Sequence, residues 1–308
     1  MSVLITEFMD KAAVATLQSK VETRYLPDLA DRQEEIPAMI SEVEALIVRN
    51  RTQVTAALLD AAPRLTTIGR LGVGLDNIDL DACRARGVKV IPATGANNRS
   101  VAEYVITSAL VLLRGAYHSK HAMLAGKWPR GDCAGHEIQG TSLGLVGFGG
   151  IARETARLAR GLGMTVLAAD PFVSPQDPAW EAAEQVDLPD LLARSDVVSL
   201  HVPLSDATRH MIDAAALERM KPGAILINAA RGGVVDEAAL AAALKAGRIG
   251  GAALDVFETE PLTAAAAEPF RGCPNLILTP HIAGVTGESN ARVSSMIAEC
   301  VLERLNLV

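Results

Sequence analysis

Short apolar runs alternate with stretches whose apolar positions recur every three or four residues, along almost the whole chain. In the first third, the runs at 3–6, 45–48, 66–69 and 88–91 read as buried strands. Between them, 54–61 and 80–86 carry the spacing of amphipathic helices. A longer helical pattern covers 101–117 and breaks at the Gly-Lys-Trp-Pro-Arg-Gly-Asp segment, 126–132. A second series follows, with strand-like runs at 143–146, 165–169, 197–200, 224–228, 252–254 and 276–278. Strands this apolar are buried on both faces, and helices between parallel neighbours supply the cover. The pattern therefore predicts an α/β fold with two doubly wound parallel sheets. The last segment, 289–305, has helical spacing and no strand after it, so it must pack on a sheet already built.

Composition narrows the classes. With 308 residues, 49% hydrophobic and 21% charged, the chain is globular, and at about 150 residues per domain it has room for two. Twenty-nine Lys and Arg against 36 Asp and Glu leave a net charge of −7, which repels nucleic acid and anionic membranes. An anionic ligand must therefore be held by locally placed donors. The longest nearly uncharged apolar stretch, 104–113, is half of the roughly 20 residues a membrane span requires. The start of the chain lacks the basic flank and long apolar core of an export signal, so a cytoplasmic protein is expected. Cys83, Cys133, Cys273 and Cys300 are widely spaced and read as buried or incidental thiols. His118 and His121 lie in a helical segment with no Cys or acidic ligand set around them, so no metal site is expected.

The sharpest local signal is Gly147-Phe148-Gly149-Gly150-Ile151-Ala152, which joins a strand-like run to a helical pattern. In this G-x-G-x-x-A turn, Gly147 permits the bend and Gly149 lets backbone approach a pyrophosphate. Ala152 is small enough for close packing of helix on strand. The helix start offers free N–H groups and a positive dipole end. Asp170 follows Ala152 by 18 residues at the end of the next strand, where a carboxylate accepts both adenine-ribose hydroxyls and repels a 2′-phosphate. NAD is therefore the expected cofactor. No Arg stands in the seven positions after Asp170 to receive such a phosphate.

Seven ordered segments extend the pattern: GRLGVGLDNID at 69–79, NNRSVAEYV at 97–105, GLVGFGGIA at 144–152, HVPLSDATRHMI at 201–212, NAARGGVVDE at 228–237, GAALDVFETEP at 251–261 and TPHIAG at 279–284. Together they resemble the D-isomer-specific 2-hydroxyacid dehydrogenase family over nearly the full chain, and most of all its phosphoglycerate and sulfolactate branch. The resemblance implies two Rossmann-like domains with an active-site cleft between them. One is a discontinuous substrate-binding domain, 1–98 plus 283–308; the other, 99–282, is an inserted NAD-binding domain. It also implies a homodimer formed through the 101–117 helix and the segment around Trp128.

By the same resemblance, Arg231 contacts the substrate carboxylate and carbonyl, as a planar guanidinium fork can. His281 acts as general acid in reduction and base in oxidation, and Glu260 raises its pKa. A glutamate at this place, where formate dehydrogenases carry glutamine, disfavours formate. Gly150, Ile151, Val101, His201, Pro203, Thr208, Ala229 and Ala230 are implied to line the cofactor, and Asp255 to accept from the nicotinamide carboxamide. The N–H groups of Val73 and Gly74 are implied to hold the substrate carboxylate, although LGVGLD equally suits a purely structural turn.

Arg49 and Arg51, in VRNRT, follow a strand end and match arginines that bind a distal phosphate; phosphate and sulfonate are both compact tetrahedral oxyanions. Two solvated surface arginines are the plainer alternative. Asn97 is a further substrate candidate or part of a turn. Overall resemblance favours sulfolactate over phosphoglycerate, and hydroxypyruvate, which has no distal anion, ranks third. A non-enzymatic alternative stays open, since the NADH-sensing corepressors of this fold keep the same triad.

Overall fold

The computed structural model describes residues 1–307, so that only the final position of the 283–308 segment lies outside it. The chain forms two compact units, Met1–Asn97 with the segment from Val285 onward, and Asn98–Gly284. The first unit holds five parallel strands, β1 (Ser2–Ile5), β2 (Glu22–Tyr25), β3 (Ala45–Val48), β4 (Thr67–Arg70) and β5 (Lys89–Pro92), in the order β2-β1-β3-β4-β5. Every residue of β3 is fully buried, as expected of a strand covered on both faces. Leu29, Ile36, Leu58 and Leu59 pack one face. The other takes the helices Lys11–Gln18 and Gly287–Arg304, through Val14, Leu17, Ile297 and Val301. That closing helix lies so near β4 that a Cβ on Gly69 would stand 2.6 Å from Ile297 Cγ2.

The second unit holds seven parallel strands, β6 (Ser142–Val146), β7 (Thr165–Ala169), β8 (Glu184–Gln185), β9 (Val197–Leu200), β10 (Ile225–Asn228), β11 (Gly251–Leu254) and β12 (Leu276–Leu278). Their order, β12-β11-β10-β9-β6-β7-β8, reverses direction between β6 and β9. Ligands of such sheets bind beyond the carboxyl ends of the strands at the point of reversal.

Three elements differ from the expectation. The long helix is Asn98–Arg114, not 101–117, because Gly115 adopts a left-handed φ of 61° and the next residues tighten into a 3-10 turn. Strands β2 and β8 carried no apolar run because each is an edge strand with partly or fully exposed residues. Among the described residues no helix is long and apolar enough to cross a membrane.

Candidate active site

Strand β6 delivers the glycine turn. Gly147 has φ 88° and donates its N–H to Ala169 O at 2.8 Å. A Cβ there would sit 2.7 Å from His201 O, so both the bend and the packing require glycine. Gly149 N-caps the helix Gly150–Gly161, and a Cβ on it would meet nothing within 4 Å. The turn therefore leaves a cradle beside a 12-residue helix's N-terminus. Gly150 lies under the Asn98 amide, 2.6 Å from where its Cβ would be, and Ala152 is fully buried.

Asp170, just past β7, accepts the Phe148 N–H at 2.7 Å on Oδ2 and the Phe172 N–H at 2.9 Å on Oδ1. Each oxygen keeps a lone pair for a ribose hydroxyl. An open helix N-terminus followed by a carboxylate with free acceptor capacity is a donor set that fits NAD.

The other cofactor candidates are scattered around the same sheet. His201 Nε2 lies 3.0 Å from Ser199 Oγ, and burial pulls the imidazole pKa down to about 4, so it stays neutral near pH 7. Thr208 Oγ1 donates to Pro203 O at 2.6 Å. Val101 is a buried position of the helix Asn98–Arg114.

Three adjacent strand ends carry the titratable cluster. Past β10, the buried Asn228 side chain brackets the turn that holds Ala229 and Ala230. Its Oδ1 accepts the Ala230 N–H at 3.1 Å and its Nδ2 donates to Arg231 O at 2.9 Å. Arg231 Nη1 in turn donates to Ala230 O at 2.6 Å. Past β11, the chain runs through Asp255 to Glu260, whose Oε1 accepts the Phe257 N–H at 3.0 Å. Gly232 fits flush against this loop, since a Cβ there would land on the Phe257 carbonyl.

Past β12, His281 sits at φ 55°, a left-handed conformation that costs a non-glycine residue on the order of 1 kcal/mol or more. Asp255, 1% exposed, holds it there. The Asp255 carbonyl accepts the His281 N–H at 2.8 Å. Its carboxylate accepts Thr279 Oγ1 at 2.6 Å and the Ile282 and Ala283 N–H groups at 2.8 Å each. Tyr104 OH meets Thr279 Oγ1 at 2.7 Å, tying the turn to the helix Asn98–Arg114. Three of the four acceptor positions on Asp255 are thus engaged and one remains.

This geometry brings His281 Nδ1 to 2.7 Å from Glu260 Oε2. The carboxylate accepts, so Nδ1 carries the proton and Nε2 is the nitrogen left for other chemistry. The hydrogen bond to Glu260 raises the His281 pKa above 6.5, against burial and the repulsion of Arg231. Burial pushes Glu260 up, but the bonds from His281 and the Phe257 N–H outweigh it and hold the carboxylate below 4.5. An acid–base pair beside a guanidinium can move a proton on and off an oxygen next to an anion. Asn228, Thr279 and Tyr104 escaped sequence reasoning; an Asn ending an all-buried strand, in NAARGG, was the available signal.

The first unit carries the remaining candidates. Arg49 and Arg51 follow β3. The Arg49 guanidinium donates to Asn290 Oδ1 at 3.0 Å and lies over the Phe8 ring. That of Arg51 pairs with Asp31 and, at 3.8 Å, with Glu7. Val73 is exposed in the turn after β4. Gly74 shares that turn, and Gly72 within it lies directly under the Arg70 guanidinium. Asn97 Oδ1 is buried with no hydrogen-bond partner among the described residues.

Comparison with known proteins identifies the family. Residues 106–283 match the D-isomer specific 2-hydroxyacid dehydrogenase NAD binding domain. The chain is 55% identical to (S)-sulfolactate dehydrogenase of Chromohalobacter salexigens over 99% of its own length and 98% of that protein's. It is 41% identical to D-3-phosphoglycerate dehydrogenase of Mycobacterium tuberculosis over 97% of its length, but spans only 56% of that longer protein. Its fold superposes on D-lactate dehydrogenase of Aquifex aeolicus, complexed with NAD and lactic acid, with a TM-score of 0.84 at 29% identity, covering 99% and 95% of the two chains. With the glycine turn, Asp170 and the acid–base pair in place, the chain belongs to the D-isomer specific 2-hydroxyacid dehydrogenase family and is an NAD-dependent oxidoreductase.

Proposed function

We propose that the protein interconverts a small 2-hydroxy acid bearing a distal anion and its 2-keto acid, with 3-sulfolactate and sulfopyruvate as the pair. One observation carries the chemistry: Glu260 Oε2 lies 2.7 Å from His281 Nδ1, which leaves Nε2 to exchange a proton with the C2 oxygen. The choice of substrate is supported by the 55% identity to a sulfolactate dehydrogenase over 99% of the chain.

NAD bound in this cradle would supply the hydride acceptor for C2 in oxidation and, in its reduced form, the hydride donor in reduction. In oxidation His281 Nε2 removes the hydroxyl proton as the carbonyl forms; in reduction the imidazolium, stabilised by Glu260, gives it back. Arg231 binds the C1 carboxylate and the C2 oxygen, aided on the carboxylate by the N–H groups of Val73 and Gly74 and by Asn97. Gly147, Gly149, Gly150 and Ile151 would receive the pyrophosphate and Asp170 the ribose hydroxyls. His201, Pro203, Thr208, Ala229, Ala230 and Val101 would line the dinucleotide, and the spare lone pair of Asp255 would take the carboxamide.

Arg49 and Arg51 bind the distal sulfonate. A phosphate suits the same guanidinium groups, so 3-phosphoglycerate is the second reading, supported by the 41% identity to a phosphoglycerate dehydrogenase, and hydroxypyruvate, which has no distal anion for the arginines, ranks third. NADH absorbance with 3-sulfolactate, 3-phosphoglycerate and glycerate, for wild type and Arg49→Ala, tests the assignment. We expect 3-sulfolactate to give the highest kcat/KM, and Arg49→Ala to raise its KM and leave that of glycerate nearly unchanged. Equal losses on both substrates would remove the distal-anion role, and no turnover on any 2-hydroxy acid would favour an NADH sensor.

The protein acts in the cytoplasm as a homodimer on this reading. Exposed Tyr117, Met123, Leu124 and Trp128, clustered along one short segment, supply the apolar surface for pairing. A monomeric mass at micromolar concentration would contradict it.

A further inference from the structure

We propose that Glu7 is the positioning residue for substrate specificity, its buried carboxylate gathering the backbone of residues 49–52 so that Arg49 and Arg51 are held for the distal anion; the inference deepens the function proposed above and rests on it. Glu7 stands two residues past the end of β1, next to β3 in the sheet, and is only 2% exposed. Its Oε1 accepts the N–H groups of Arg49 at 2.8 Å and Thr52 at 3.0 Å. Oε2 accepts those of Asn50 at 3.2 Å and Arg51 at 3.1 Å.

Four consecutive N–H groups therefore converge on one carboxylate, which fills all four of its acceptor positions. The carbonyl side of the loop is held separately. Asn77 Nδ2 donates to Thr52 O at 2.7 Å and to Arg49 O at 3.3 Å, and Thr6 Oγ1 meets the fully buried Thr52 Oγ1 at 2.8 Å.

A chemical consequence follows for recognition. A loop with successive N–H groups turned to one point is a nest, the usual backbone device for binding phosphate or sulfonate. Here the protein's own carboxylate occupies the nest, so the loop's backbone has nothing left for a substrate anion and only the two guanidinium groups remain. Specificity then depends on where those side chains start. Rotating the 49–52 backbone would carry both arginines away together, since their Cα atoms belong to the clamped segment. Glu7 also supplies charge. Burial lowers the pKa of the Arg49 guanidinium while the negative Glu7 beside it acts in the opposite direction. Burial opposes ionisation of Glu7 itself, yet the N–H bonds prevail and hold its carboxyl below 4.5, so the clamp is charged at neutral pH.

The test is Glu7→Gln, which keeps the shape but turns an NH2 donor toward two N–H donors. Steady-state kinetics on 3-sulfolactate and glycerate are measured beside Arg49→Ala and the double variant. We expect KM for 3-sulfolactate to rise about tenfold, the equivalent of one misplaced charge-assisted contact, with kcat and the KM values for glycerate and NAD within about twofold of wild type. In the Arg49→Ala background, Glu7→Gln should add only the smaller loss that comes from misplacing Arg51, and Glu7→Asp should restore part of the affinity for 3-sulfolactate.

If glycerate and 3-sulfolactate suffer alike, or kcat falls for both, Glu7 only supports the fold and the proposal is overturned. If Arg49→Ala raises the 3-sulfolactate KM and Glu7→Gln does not, positioning by Glu7 fails while the distal-anion reading stands. If Arg49→Ala itself has no effect, that reading fails and the inference goes with it. Should Glu7→Gln not fold, Asn77→Ala, which frees the same loop from its carbonyl side, is read against the same expectations.

Discussion

The two units solve one problem twice. In each, a buried carboxylate just beyond a central parallel strand gathers N–H groups from the loop after a neighbouring strand: Asp255 in the second unit and Glu7 in the first. The difference lies in what the loop carries. Asp255 holds a turn in which His281, bonded to Glu260 at 2.7 Å, is fixed in a left-handed backbone conformation. Glu7 holds a loop whose arginines reach outward to Asn290 and Asp31, contacts that an arriving anion can replace. A proton transfer tolerates little misplacement and demands the rigid version. Recognition of a distal charge works with side chains that exchange partners.

That contrast predicts effects of graded size. The largest belongs to the second unit. His281→Ala should lower kcat by about 10²- to 10⁴-fold, the usual worth of a positioned general acid–base, while NAD affinity measured by NADH fluorescence stays the same. Loss of NAD binding instead would place His281 in the cofactor site. Smaller but sharper is a pair of glycine substitutions. Gly232→Ala puts a methyl onto the Phe257 carbonyl and must separate the Arg231 turn from the Glu260 loop. We expect a fall in Tm of several degrees, from a destabilisation of about 1–3 kcal/mol, together with a loss of kcat. Gly149→Ala meets nothing within 4 Å, so Tm should hold while KM for NAD rises. Unchanged KM for NAD in Gly149→Ala would argue that the cradle is not the pyrophosphate site.

The smallest expected effect separates the anchors by pH. Glu7 has its pKa depressed below 4.5 in the folded protein, so its stabilisation is complete above pH 4.5 and is lost as pH falls through the folded value. His281 has its pKa raised above 6.5, so its contribution is complete below pH 6.5 and is lost as pH rises through the folded value. Denaturant titrations should show Glu7→Gln losing stability relative to wild type at pH 7 but converging with it in acid. His281→Ala should converge with wild type in alkali. Parallel curves across the range would contradict the account.

The central strands were legible because a strand buried on both faces is mostly apolar, as 45–48 is throughout and 197–200 is apart from Ser199. Edge strands β2 and β8 were not, since a partly exposed strand needs no apolar run. The glycine turn and Asp170 could be read directly, because each residue type there answers a local demand of backbone geometry or charge. Arg231, Glu260 and His281 are single polar residues in three separate segments, and only their resemblance to an ordered family pattern drew them together. Glu7 escaped notice altogether. Its partners lie 42 to 45 positions away and all are backbone N–H groups, which leave no trace in residue identity.

The account depends most on Glu260 sustaining the protonated state of His281. The direct measurement is the pH dependence of kcat/KM for keto-acid reduction in wild type and Glu260→Gln, followed by NADH absorbance. Wild type should stay active to a pH above the ordinary histidine value of 6.5 before the rate falls, and the variant's descending limb should move to lower pH, with the rising limb of alcohol oxidation moving the same way. Profiles that coincide for the two proteins would show that the 2.7 Å pair does not govern the proton, and the mechanism would be wrong.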